Sequence, residues 1–189
     1  MAQRPRLSRE AWVAAALEAL TEGGVAAVAV EPLAVALGAT KGSFYWHFRD
    51  RAELVGAALE LWESEQTGAV IDGLAALEDP AERLRVLLDL VITHPSEVDP
   101  VVPLLRDATH PQVAAALRRV TSRRIAYVAD ELVATGMPRE EARSRAAMAV
   151  AAYVGWWQLH ALLPDEVPVG AAGRRHADVL RAVIEAPLT

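Results

Sequence analysis

Leu37-Gly38-Ala39-Thr40-Lys41-Gly42-Ser43-Phe44-Tyr45-Trp46-His47-Phe48-Arg49-Asp50-Arg51 is the stretch whose reading decides the fold. An apolar residue followed by Gly38 ends one helix, because glycine enters the left-handed C-cap conformation without steric cost. Thr40 caps the next, its hydroxyl within reach of the backbone N–H of Gly42 or Ser43. From Thr40 to Phe48 the helical period puts Phe44 and Phe48 on one face and leaves Lys41, Ser43, Tyr45, Trp46 and His47 on the others. An ammonium, a hydroxyl, a phenol, an indole and an imidazole so close together offer donors to phosphate and rings to a groove, and Gly42 permits close backbone approach. The pattern reads as a recognition helix whose N-terminal end meets DNA. The same aromatics would also suit a buried helix end in another all-α protein; the short turn, the glycines and the preceding helix favour DNA.

Outward from this stretch, Met1–Leu7 reads as a basic arm carrying Arg4 and Arg6. Ser8 caps a helix to about Glu22, with Trp12, Val13, Ala16, Leu17 and Leu20 on one stripe and Gly23-Gly24 as its stop. After the short apolar connection Val25–Val28, a second helix runs from about Val30 to Leu37, with Pro32 in its first turn, where a missing N–H does no harm. Asp50 caps a longer helix from Arg51 to about Thr67, with Leu54, Ala58, Leu61 and Trp62 inward. Two helices joined by a glycine turn and buttressed by a third make a helix-turn-helix module.

These residues resemble the tetracycline-repressor (TetR) family, whose pattern Leu-Ala-x-x-Leu-Gly-x-Thr-x-Gly-x-Phe-Tyr-x-His-Phe-x-x-Arg-x-x-Leu is matched by Leu33-Ala34, Leu37-Gly38, Thr40, Gly42, Phe44-Tyr45, His47-Phe48, Arg51 and Leu54. The resemblance covers about residues 6–66. One position departs: Ala29 stands where the family often has a Thr or Ser cap, which removes about 1 kcal/mol of capping and a hydroxyl for phosphate. The resemblance implies an all-α fold of about nine helices. A DNA-binding domain over 1–50, with a linking helix 51–67, would precede a helical regulatory and dimerisation domain over 68–189.

Beyond residue 67 the pattern is helical throughout. Asp79-Pro80 opens a helix with Leu84, Leu87, Leu88, Val91 and Ile92 inside, ending near His94-Pro95. Pro95, Pro100 and Pro103 leave only a short piece around Val101–Asp107. A long helix from His110-Pro111 to about Thr135 is closed by Gly136, another spans about Arg139–Leu163, and a last spans about Ala171–Ala186. The final two present apolar bands, Ala142, Ala146, Ala149, Val150, Tyr153, Val154 and Trp157 on one, Val179, Leu180, Val183 and Ile184 on the other. Such bands suit a four-helix bundle with a second copy, or alternatively this chain's own core.

Composition sets bounds on function. At 189 residues, 53% apolar and 23% charged, the chain is globular. It has no cysteine, hence no disulfide or thiolate metal site, which fits a reducing cytoplasm. Neither a secretory signal nor an apolar run long enough for a membrane span is expected. The net charge of −6 is unevenly placed: residues 1–55 hold six cations and six anions, so the rest carries the whole excess. DNA affinity depends on local charge. Lys41, the single lysine of the chain, falls in the first turn of the reading helix.

Candidate DNA contacts are therefore Arg6, Thr40, Lys41, Gly42, Ser43, Tyr45, Trp46, His47 and Arg51. Tyr45 and His47 follow the family's phosphate contacts, and Lys41, Ser43 and Trp46 face bases or sugar. Phe44 and Phe48 are packing residues. An effector, mostly apolar with a few polar groups, would sit among Trp62, Gln66, His94, Arg106, Tyr127, Tyr153 and Trp156, with Thr93 and His160 further candidates. Arg118-Arg119 and Arg123-Arg124 read as a solvated helix face. Motifs for catalysis and metal spacing among the five His are both missing, so neither an enzyme, a cofactor nor a metal is expected. The expectation is a cytoplasmic homodimeric repressor, paired through about 139–163 and 171–186, that binds double-stranded operator DNA and is released by an unknown small molecule. The Arg51–Thr67 helix would be its mechanical link. The alternatives are a helical ligand-binding protein or enzyme with a vestigial helix-turn-helix, and a regulator without an effector.

Overall fold

The computed structural model describes residues 7–93 and 101–185, and every regular element among them is helical. The chain divides into two compact units. One holds the residues up to Glu65 together with Pro103–Arg118; the other holds Gln66–Val102 with the residues from Arg119 onward. These units group the residues differently from a single division at residue 50 or 67. Pro103–Arg118 lies far along the sequence yet packs with the N-terminal helices.

In the first unit α1 (Arg9–Ala27), α2 (Val30–Ala36), α3 (Lys41–Phe44) and α4 (Arg51–Glu63) follow in order. Ser8 Oγ accepts from the Ala11 N–H at 3.3 Å, and Gly24 breaks α1 with φ 72°, so Val25–Ala27 forms a turn of its own. Asp107 fixes that break: its carboxylate accepts from the Val25 N–H at 2.5 Å. Ala29 gives α2 no side-chain cap. At the other end Gly38 (φ 61°) donates to the Val35 carbonyl and Ala39 to the Ala34 carbonyl, the paired bonds that close a helix on a left-handed residue. Gln112 adds a bond from Nε2 to the Ala52 carbonyl. Trp12, Ala16, Leu20, Phe44, Leu54 and Trp62 are fully buried, so the aromatic and leucine stripes converge as their spacing requires.

The second unit contains α5 (Ala69–Leu74), α6 (Pro80–Thr93), most of α8 (Pro111–Ala134), α9 (Arg139–Leu162), a 3-10 turn (Gly170–Gly173) and α10 (Arg174–Glu185); the short α7 (Val101–Arg106) and α8 each straddle a unit boundary. Its core joins Leu84, Val128, Leu132, Ala142, Ala146 and Ala149. The alanines bring α9 close to its neighbours, which is why these small residues point inward. Arg83 bridges α6 and α8 by its ion pair with Glu131 at 2.8 Å and donates to the Leu77 carbonyl.

Two elements differ from their sequence reading. The helix from Arg51 stops at Glu63 and widens into a π turn, Ser64–Gly68, before α5, rather than running unbroken to Thr67. The reading helix is one α turn, after which Trp46 and His47 donate three residues back, so the chain tightens through Tyr45–His47.

Candidate nucleic-acid interface and ligand cavity

Position at the tip of the first unit follows from capping and from the buried ring pair. Thr40 Oγ1 accepts from the Ser43 N–H at 3.2 Å, and Asp50 Oδ1 from the Glu53 N–H at 2.8 Å, so both helix starts are set by side chains. Phe44 packs edge-on against Trp12 (5.5 Å) and stacks on Phe48 (5.4 Å), and both phenylalanines are buried. With that face anchored, Tyr45 is 57% and Trp46 82% exposed. Lys41, Gly42 and Thr40 are exposed beside them. Arg9 lies over the Phe48 ring at 4.9 Å, and Arg49 pairs with Glu53 at 3.0 Å; the sequence reading assigned neither a contact.

The polar groups at this tip already have partners. Lys41 Nζ is paired with Glu31 at 2.6 Å, which raises the lysine's pKa and lowers the carboxyl's. Ser43 Oγ donates to the Thr40 carbonyl, leaving its oxygen as an acceptor. His47 Nε2 meets the Leu7 carbonyl at 2.9 Å, and so holds the start of the N-terminal segment. Arg51 is the departure from expectation: its guanidinium donates to the carbonyls of Val25 and Val28. It ties α4 to the α1–α2 connection, where two backbone acceptors would otherwise go unanswered. Arg4 and Arg6 lie outside the described residues.

The second unit holds a half-open pocket of about 80 Å³. Val70, Ile71, Leu87, Leu88 and Val91 supply apolar wall; Gln66, Thr67, Arg124, Tyr127 and Tyr153 supply polar atoms. Three of the effector candidates, Gln66, Tyr127 and Tyr153, are thus on it. Trp62 is not: it is fully buried in the first unit's core. Arg106 is exposed on α7 in that same unit. Trp156 lies tilted against His176, ring centroids 4.6 Å apart, and His160 Nδ1 meets the Val167 carbonyl at 2.8 Å. His94 and the Thr93 side chain lie outside the described residues.

Arg124 is the cavity residue the sequence reading missed. Of the four arginines read as a solvated face, Arg118, Arg119 and Arg123 are exposed, whereas Arg124 turns inward. Its Nε donates to Thr67 Oγ1 at 3.0 Å, its Nη2 to the Gln66 carbonyl at 3.1 Å, and its guanidinium lies over the Tyr153 ring at 5.3 Å. Helical spacing held the signal, since Val120 and Val128, four residues to either side, are buried. Burial, with the Glu131 carboxylate nearby, raises the Tyr127 phenol above its ordinary pKa.

The α9 band expected to face a second copy faces this unit's own interior: Ala142, Ala146, Ala149, Val150 and Trp157 are all buried. A different stripe of α9 is open. Met148 (70%), Leu159 (47%) and Leu162 (75%) are exposed with Ala151 and Ala152 between them, and Val179 of α10 is 59% exposed. The side chains of Val183 and Ile184 lie outside the described residues. Among the described residues no cluster of three or more His, Cys, Asp or Glu could hold a metal, and no helix is long and apolar enough to cross a membrane.

A capped short helix with aromatic side chains exposed at its end, braced by two longer ones, defines the class: a helix-turn-helix module. Residues 13–58 match the bacterial regulatory proteins of the tetR family. The HTH-type transcriptional regulator AcrR of Shigella flexneri is 30% identical over 91 residues, a match spanning 48% of this chain and 41% of that one. Among solved structures, a transcriptional regulator from Rhodococcus sp. Rha1 superposes with a TM-score of 0.76 at 22% identity, covering 94% of this chain and 96% of that one. AibR in complex with isovaleryl coenzyme A and operator DNA does so with a TM-score of 0.66 at 16% identity, covering 95% and 99%. The likeness to the tetR family model thus covers residues 13–58, and over the rest of the chain the likeness is one of fold.

Proposed function

We propose that the protein is a cytoplasmic, homodimeric transcription repressor that a small molecule in the second unit's cavity releases from operator DNA. The observation that carries the reading is the opposite fate of neighbouring residues where α3 ends: Phe44 is sealed in the core while Tyr45 and Trp46, just after it, stand in solvent at the tip. Exposed aromatics of this size normally serve a surface that will be covered. Thr40, Lys41, Gly42, Ser43, Tyr45, Trp46 and His47 form the contact set. Thr40 and the first N–H groups of the helix would face phosphate, Tyr45 donates to it, and Trp46 enters the groove. Lys41 would exchange Glu31 for a phosphate. Arg51 is reassigned to holding the module together.

One such module covers few base pairs, so selectivity requires two of them on one duplex. The open stripe of α9 and α10 (Met148, Leu159, Leu162 and Val179) is the surface we assign to the second copy. Release follows from linkage: a ligand that binds better to a conformation with low DNA affinity lowers operator occupancy by that difference in affinity. The chain passes between the units within the π turn, within α7 and within α8, and these segments would carry the coupling. The AibR structure holds an acyl coenzyme A and operator DNA together, the same two kinds of partner proposed here.

The test is a mobility shift with the DNA upstream of the protein's own gene. Specific retardation that weakens with rising salt and is lost in Tyr45→Ala is expected. A protein that retards no such fragment, or for which Tyr45→Ala changes nothing, is not this repressor.

A further inference from the structure

We infer that Asp107 is a positioning residue for DNA recognition. Its carboxylate, held on the Val25 amide, sets the α1–α2 connection that carries the reading helix, and loosening that bond is the step by which the protein gives up its operator. This rests on the repressor reading and names the regulation of the same tip. Gly24 interrupts α1 with a left-handed φ, so the Val25 N–H cannot follow the helical ladder, and Asp107 accepts it at 2.5 Å. Val25 and Val28 are buried, so water cannot readily take the carboxylate's place. Arg51 holds the same connection by donating to the Val25 and Val28 carbonyls. Val25 therefore has its N–H on a carboxylate and its carbonyl on a guanidinium.

The two side chains differ in where they come from. Arg51 opens α4, within the run of N-terminal helices, whereas Asp107 follows the last turn of α7. Its N–H donates to the Leu104 carbonyl and its own carbonyl accepts from the His110 N–H, so α7 and the turn after it place the carboxylate. Val101 and Val102, the first residues of α7, belong to the second unit, and Pro103 onward belongs to the first. One short helix thus starts in the unit that carries the pocket and leads directly into the residue that holds the α1–α2 connection. A shift of about 1 Å would take this bond past the usual N–H to oxygen limit. Gly24 is suited to the contact twice over: it adopts the positive φ, and a Cβ there would collide with the Asp107 carboxylate. Gln112, from the same later segment, donates to the Ala52 carbonyl of α4 instead, which makes it the control.

The test measures the affinity of full-length variants for the DNA upstream of the protein's own gene, at a temperature where circular dichroism shows each to be folded. Asp107→Ala should weaken binding about tenfold or more, the worth of a hydrogen bond to a charged group. Asp107→Asn, which keeps an acceptor oxygen, should retain part of the affinity, and Gln112→Ala should bind as the parent does. Gly24→Ala breaks the same contact from the other side, so adding it to Asp107→Ala should cost less than the sum of the two single losses. Linkage supplies a readout that needs no variant: if the bond favours operator binding, the operator must favour the bond by the same factor. Hydrogen exchange at the parent's Val25 amide should therefore slow about tenfold or more when the DNA is bound. A folded Asp107→Ala with parental affinity would overturn the inference, as would equal losses in Gln112→Ala or additive losses in the double variant. Should Asp107→Ala not fold, the exchange measurement decides. A parent that binds the DNA while its Val25 amide exchanges as fast as before refutes this inference alone; a parent that binds no such DNA refutes the repressor reading and this inference with it.

Discussion

Phe44 and Tyr45 are consecutive aromatics with opposite surroundings, and substitutions at the two should fail in different ways. Phe44→Ala empties a fully buried site and is expected to cost about 3–5 kcal/mol, read as a large fall in the denaturant midpoint. Tyr45→Phe removes one hydroxyl from an exposed ring. It should leave the unfolding midpoint in place and weaken operator binding about tenfold or more, the worth of a hydrogen bond to a charged group. Glu31 provides a third, oppositely signed case. It holds Lys41 and places a carboxylate at the surface assigned to phosphate. Glu31→Gln should therefore tighten DNA binding a few-fold in a titration, most visibly at low salt. At this scale much of the tip was legible, because cap residues and aromatic spacing are local signals. Arg51 and Arg124 were misread, since a guanidinium's destination depends on which carbonyl or hydroxyl the fold brings to it. Thr67 and Gln66 lie 57 and 58 positions from Arg124.

Glycine explains why helix ends were easier to read than the run between them. Gly24 and Gly38 both adopt a left-handed φ, yet they are not equivalent. A Cβ at Gly38 would meet nothing within 4 Å, whereas one at Gly24 would collide with the Asp107 carboxylate. Gly38→Ala should cost about 1–2 kcal/mol, the strain of a left-handed alanine. Gly24→Ala should lower Tm clearly further, and differential scanning calorimetry on the two variants is the comparison. The π turn at Ser64–Gly68 and the helix after it were not legible, because Gln66-Thr67-Gly68 continues a helical pattern and only the Arg124 contacts show why the turn opens. The period of α9 fits two apolar stripes, and only burial tells which is internal: the alanine-rich one packs within the unit, leaving Met148, Leu159 and Leu162 outside.

For the molecule entire, the open stripe of α9 makes a falsifiable claim about assembly. Leu162→Glu, at a residue 75% exposed, should leave the unfolding curve unchanged and convert a dimer to a monomer in sedimentation, with loss of operator binding. A variant that sediments as the parent does would mean another surface pairs the copies. The all-helical plan was readable from composition and caps. The division into units was not, because Pro103–Arg118 joins the N-terminal helices through long-range contacts such as Asp107 with Val25 and Gln112 with Ala52. That interleaving bears on how such chains are recombined. A crossover placed after the fourth helix would transplant a reading head without the later segment that fastens it, exposing the Val25 amide and part of an apolar surface. Chimaeras that exchange specificity should therefore need three joints, one before Gln66 and a pair bracketing Pro103–Arg118.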